Sequence, residues 1–111
     1  MTRKRNYSVK WTQIAEDDLV AIVDYIAADN PDAALSIFDR IRTLAKELVS
    51  FPERGRVVPE LQRFGISQYR ELLPAPWRLI FRIGDGEVFV VAVFDGRRDL
   101  EDILLERIIR N

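Results

Sequence analysis

The chain has 111 residues, 48% of them hydrophobic, which suffices for one domain with a real core (residues 1–111) and leaves little room for a second. It contains no cysteine, which excludes a disulfide framework, a thiolate nucleophile and a thiolate metal site. It also contains no histidine, so any catalysis would have to use Arg, Lys, Tyr or carboxylates. The formal net charge is -1 but is unevenly spread: about +4 over residues 1–11, about -5 over 12–50, about +3 over 54–98 and about -2 over 99–111.

The opening "MTRKRNYSVKW" begins with a basic cluster. Alternation at Tyr7, Val9 and Trp11 follows it in place of the continuous apolar stretch of a leader, and no run approaches membrane-spanning length. The expectation is a soluble, cytoplasmic protein that opens on a short strand. Thr12 then offers an N-cap, and Glu16, Asp17 and Asp18 place acid where a helix N-terminus prefers it. Ala15, Leu19, Ile22 and Ile26 recur at helical spacing and predict one apolar stripe on a helix reaching about Ala28. "DNPD" breaks that helix, Pro31 suits the first turn of a second, and Ala34, Ile37, Ile41, Leu44 and Leu48 give the second its own stripe. Together they predict an antiparallel helical hairpin.

"FPERGRVVPEL" reads as a loop, because Pro52, Gly55 and Pro59 forbid a continuous helix. Three strands are predicted after it, at 68–72, 77–83 and 88–94, the last two joined through "IGDGE" as an antiparallel hairpin. In the middle strand Leu79, Phe81 and Ile83 point one way and Arg78, Ile80 and Arg82 the other, which predicts one core face and one open, arginine-bearing face. "VFVVAV" shows no polar alternation and reads as a central strand covered on both sides, with a partner chain one source of that cover. Asp99 is placed as the cap of a third helix. Its Ile103, Leu104, Leu105, Ile108 and Ile109 make it too apolar for a free surface helix, so it returns to the core, meets a partner or pairs two copies of the chain. The fold class expected is α+β: an N-terminal strand, a helical hairpin packed on an antiparallel meander sheet, and a C-terminal helix.

Residues 54–98 hold eight arginines (54, 56, 63, 70, 78, 82, 97 and 98) and no lysine. A planar guanidinium fork suits carboxylate, phosphate or an aromatic face, so the bias points to recognition, with salt bridging to the acidic helices as the plainer alternative. Arg78 and Arg82 on the open face, Arg97 and Arg98 at the strand end, and Arg54 and Arg56 on the entering loop are expected to close one basic concavity for phosphates or acidic peptide. No phosphate loop or metal-ligand spacing is present in the sequence, so no cofactor and no metal are expected. Trp11 and Trp77 read as packing aromatics. For Arg82 and Arg97, internal pairing with Glu71, Asp95 or Asp102 competes with a partner site.

"YRELLPAPWRLIFRI", followed by the hairpin and "VFDGRRDLEDIL", resembles the C-terminal half of the RelE/ParE toxins of type II toxin-antitoxin systems. "VKWTQIAEDDLVAIVDYIAADNPDAA" resembles their helical hairpin, so the likeness covers nearly the whole chain. It implies one of two activities. RelE-like members are ribosome-dependent mRNA endonucleases, whereas ParE-like members poison DNA gyrase by binding it. Both are neutralised by an antitoxin whose extended segment wraps the toxin in a hetero-oligomer. As a nuclease the chain would draw on Tyr69, Arg78, Arg82 and Arg97, but acid and base are hard to find. No lysine follows Lys46, Tyr69 is the only tyrosine in the C-terminal half, and Asp99 stands where RelE-like enzymes tend to place an aromatic or imidazole. A sequence isoelectric point near 5.5 also fits the RNA-rich ribosome poorly. These departures favour the ParE-like reading, with Arg54, Arg56, Arg78, Arg82, Arg97 and Arg98 facing the target. An inactive homologue that only binds antitoxin is a third reading.

Overall fold

The structure is a computed structural model that describes residues 6–110, with side chains described through Arg107. The basic cluster at residues 3–5 and the side chains of Ile108 and Ile109, invoked above for dimerisation, lie outside the described residues. The elements in chain order are β1 (Ser8–Trp11), α1 (Gln13–Ala27), α2 (Pro31–Lys46), β2 (Arg56–Val57), α3 (Pro59–Gln62), β3 (Tyr69–Leu72), β4 (Trp77–Ile83), β5 (Glu87–Asp95) and α4 (Leu100–Arg110). Among the described residues no helix is long and apolar enough to cross a membrane.

The helical hairpin forms for the reasons its sequence supplies. Thr12 caps α1, its Oγ1 accepting from the Ala15 N–H at 3.2 Å. Asn30 caps α2 in the same way from Ala33 at 3.1 Å, with Pro31 at the first helical position. Ala15 and Leu19 of α1 share one core cluster with Ile41 and Ala45 of α2, and Leu48 in the 3-10 turn that follows is fully buried. Arg42 fastens the two helices at their edge, donating to both Glu16 oxygens at 3.1 and 2.6 Å while its guanidinium lies 4.5 Å from the Trp11 ring centre.

The sheet order is β1-β5-β4-β3-β2. β1 joins β5 in parallel, and the remaining pairs are antiparallel, so the expected meander is present with a parallel edge strand added to it. Gly86, at φ 72°, takes the left-handed turn position of the β4–β5 hairpin. Leu79 and Phe81 of β4, with Val88, Val90 and Val93 of β5, face α1 and α2 and form the main core, as the alternation required. A register shift after Ile80 leaves Val91 as an extra residue in β5. Val90 and Val93 thereby point to the same side although three positions apart.

The other face differs from expectation. It is covered in the middle, where Ile80, Ala92 and Phe94 pack with Val58, Leu100 and Ile103. The C-terminal helix returns to the chain's own sheet, because three apolar side chains on this face need cover and Leu100 and Ile103 supply it. The loop reading of "FPERGRVVPEL" is also corrected. This segment makes a 3-10 turn at Pro52–Arg54, then β2, paired with β3, and the one-turn α3, which lays Val58 and Leu61 on that patch. Gly55 permits the close pass over the sheet, since a Cβ there would lie 2.7 Å from Phe81 Cζ and 2.9 Å from the Glu71 carbonyl oxygen.

Candidate functional site

Register places Tyr69 opposite Arg82, Glu71 opposite Ile80, and Arg56 opposite Glu71, so all of these side chains share the α3/α4 face. Glu71 is only 1% exposed. Its Oε1 accepts from Arg78 Nε at 2.6 Å and its Oε2 from Arg56 Nε at 2.6 Å. The two terminal nitrogens of Arg78 then donate to Glu60, at the start of α3, at 2.7 and 2.9 Å, and its guanidinium lies 5.3 Å from the Phe94 ring centre. Arg78 is therefore buried, at 8% exposure, which corrects its expected place on an open surface. A guanidinium beside an apolar patch is retained only when carboxylates satisfy it, and two do. The hydrogen bond from Arg78 holds the Glu60 carboxyl below the ordinary carboxylate range, and the Glu60 contact raises the pKa of Arg78 against the opposing effect of burial.

The other sequence-derived candidates do not converge on one concavity. Arg82 lies four residues from Arg78 along β4, about 13 Å away. It stacks on Phe89 at 4.9 Å and has no ion pair among the described residues. Tyr69 beside it is half-buried against the apolar patch. Arg54 pairs with Glu47 at the end of the helical hairpin. Arg97 and Arg98 do leave the end of β5 beside the Arg78 end of β4, where Trp77 pairs with Asp95. Arg97 is 85% exposed and folds back on Asp95, donating from Nε and Nη2 at 3.0 and 2.6 Å. With the Arg97 backbone N–H, these bonds hold the Asp95 carboxyl down to about 2. Arg98 pairs with Glu106 of α4 at 2.7 Å, both partners half-exposed.

Three important residues were missing from the sequence reading. Glu60 falls in the segment expected to be a loop, although Pro59 before it is suited to open a helical turn. By its position in the sequence Asp18 is only a helix-terminal acid. It instead accepts from the Val93 N–H at 3.0 Å, and both of its oxygens accept from Arg107 Nη2 of α4 at 2.7 Å. Arg107 thus ties the last helix to the first, and no local pattern could reveal a pairing across 89 positions. Trp11 and Trp77 pack against the main core as expected, and the Trp77 indole N–H is buried without a partner among the described residues. Beside α4 an apolar groove of about 560 Å³ runs between Leu61, Ile66, Ile80, Val91 and Leu104, bordered by Tyr69 and Arg107.

The family described as the ParE toxin of the type II toxin-antitoxin system parDE matches residues 9–100. Toxin RelE2 of Caulobacter vibrioides is 37% identical over 86 residues, spanning 77% of this chain and 90% of that protein. Y4kP of Sinorhizobium fredii is 36% identical over 94 residues, 82% of this chain and 88% of its own. Among solved structures, the chromosomal ParDE toxin-antitoxin system of P. aeruginosa superposes with a TM-score of 0.67 at 27% identity, covering 80% of this chain and 95% of that one. The RelBE2 toxin-antitoxin complex of Mycobacterium tuberculosis shares the fold, with a TM-score of 0.57 at 20% identity over 86% of this chain and 97% of that one. The helical hairpin on a meander sheet, the strand-end arginines and the family match over residues 9–100 lead to one assignment: the chain belongs to the ParE toxin family, within the RelE/ParE superfamily of type II toxins.

Proposed function

We propose that the chain, as one toxin domain, arrests growth by binding DNA gyrase through the arginines at the end of its sheet, and that an antitoxin neutralises it. The observation that carries this reading is the state of the charged groups. Arg78 is saturated by Glu60 and Glu71, and two of the carboxyls that pair with the arginines, Glu60 and Asp95, are held below the ordinary carboxylate range by those arginines, which makes them poor proton donors for RNA cleavage. Exposed arginines offering donors to a protein partner need no such acid. Arg97 and Arg98 are the principal contacts in this reading, Arg82 a separate one, and Arg54 and Arg56 peripheral.

The P. aeruginosa neighbour belongs to a ParDE system and the M. tuberculosis neighbour was solved as a toxin-antitoxin complex; we carry an antitoxin partner over to this chain. The apolar groove beside α4, with Leu104 exposed at its edge, offers surface for the leucines of such a segment. The alternative of a ribosome-dependent mRNA nuclease is favoured by the relative named RelE2. Induced expression of the chain alone in a bacterial host, with chromosome breakage, SOS induction and reporter mRNA decay followed together, separates the two. DNA breaks with intact mRNA are expected. Rapid cleavage of translated mRNA would reverse the ranking and turn attention to Tyr69, Arg82 and Arg97, while normal growth with soluble, folded protein would leave only antitoxin binding.

A further inference from the structure

We propose that Arg56 and Arg78 form a latent phosphate-binding site in which the Glu60 carboxylate is the resident, displaceable anion. The proposal rests on the reading that the arginine end of the sheet meets the target, and it adds a masked pair to the exposed Arg97 and Arg98. Two guanidinium groups meet two carboxylates here, but the carboxylates are not equivalent. Glu71 has a fully buried side chain and is shared by the Nε atoms of both arginines, so it is the fixed counter-ion. Glu60 has a side chain 30% exposed, sits on a four-residue helix, and spans both terminal nitrogens of Arg78 at 2.7 and 2.9 Å. Two oxygens set across a guanidinium fork are the arrangement that a phosphate adopts as readily as a carboxylate.

Without Glu60 the cluster carries one unit of surplus positive charge, and the terminal nitrogens of a nearly buried arginine lose their acceptors. Such a place is strongly biased toward an anion. Arg56 favours phosphate over another carboxylate. Only its Nε is engaged, its side chain is 56% exposed, and its terminal nitrogens have no acceptor among the described residues. A carboxylate spends both oxygens on Arg78, whereas a tetrahedral phosphate keeps an oxygen for Arg56. A concavity of about 360 Å³, lined by Arg56, Trp77, Arg78 and Gly96, opens beside the pair and gives a larger phosphorylated molecule room. Tethering keeps Glu60 at high effective concentration, so the unaltered chain binds phosphate weakly.

The test is a titration of the full chain and of Glu60→Gln with inorganic phosphate at fixed ionic strength, followed by short DNA and RNA oligonucleotides. Glu60→Gln is expected to bind phosphate about tenfold or more tightly than the unaltered chain, and adding Arg56→Gln is expected to erase much of the gain. Preference for oligonucleotide over an equal concentration of inorganic phosphate identifies the ligand as a nucleic-acid backbone, and the reverse identifies free phosphate. A variant that melts cooperatively yet binds phosphate no better than the unaltered chain overturns the proposal. Acetate binding equal to phosphate overturns the phosphate assignment in favour of a partner's carboxylate. If Glu60→Gln fails to fold, Glu60→Asp, which keeps the charge but withdraws it by one methylene, must still show raised phosphate affinity. None of these readouts involves growth, so the fate of the gyrase reading leaves the result intact.

Discussion

Leu79 and Phe81 leave β4 toward α1 and α2, where their buried neighbours are apolar, while Arg78 and Ile80 leave the same strand toward α3 and α4, where a buried guanidinium lies two residues from an apolar patch. The first face is stabilised by area removed from water and tolerates changes of shape better than loss of volume. The second face combines a smaller apolar cluster with a charged network whose net contribution to stability is small because desolvation offsets the ion pairing. Its value lies in geometry, since Glu71 fixes where two guanidinium groups stand. The helices differ likewise. α1 and α2 form a long hairpin, whereas α4 rests on Leu100, Ile103 and one partly buried ion pair to Asp18.

Substitutions can break this contrast in graded steps. Phe81→Ala removes a fully buried ring from the main core and is expected to cost about 4 kcal/mol, read by urea denaturation. A loss near zero would show that the apolar face does not carry the fold. Glu71→Ala leaves Arg78 with Glu60 alone and takes from Arg56 the carboxylate its Nε bonds, and should cost about 3 kcal/mol. An increase in stability would mean the network is a burden that its geometry alone does not justify.

Arg107→Ala, which releases α4 from Asp18, should cost about 1 to 2 kcal/mol. Hydrogen exchange should quicken in α4 and hardly change in α1 or α2, and uniform quickening would contradict the weaker attachment of α4. Arg97→Ala, the mildest, should lower the melting temperature only slightly, since the pair it breaks is exposed, and under the proposed function should relieve growth inhibition. In the unaltered chain the Arg97–Asp95 pair adds stability at pH above the ordinary Asp value of 3.8 and loses it as pH falls through about 2. An NMR titration of Arg97→Ala should therefore find Asp95 moved up toward 3.8, and a folded variant still fully toxic would remove Arg97 from the target surface.

The legible parts of the fold were those in which neighbouring residues decide the outcome. Thr12 and Asp99 were readable as caps, and Asp99 Oδ1 does accept from the Glu101 N–H at 2.9 Å. The alternation of Leu79, Phe81 and Ile83 identified the main core face. The arginines were legible as a group, but their partners were not. Alternation put Arg78 and Arg82 on one face without indicating that Glu60 would be folded over the first and Phe89 set beneath the second. The apolar Ile80 between them was the available sign that this face would be covered.

The sequence by itself determined the helical hairpin, the β4–β5 hairpin and the α+β class, because caps, helical stripes and strand alternation are set by side chains a few positions apart. Tertiary structure alone decided that β1 would lie parallel to β5, that α4 would close the second face, and that Arg78 would be masked while Arg97 stayed exposed. Those outcomes depend on contacts such as Arg107 with Asp18 and Arg78 with Glu60. Their energy exists only once distant segments are packed together and water has been excluded from between them.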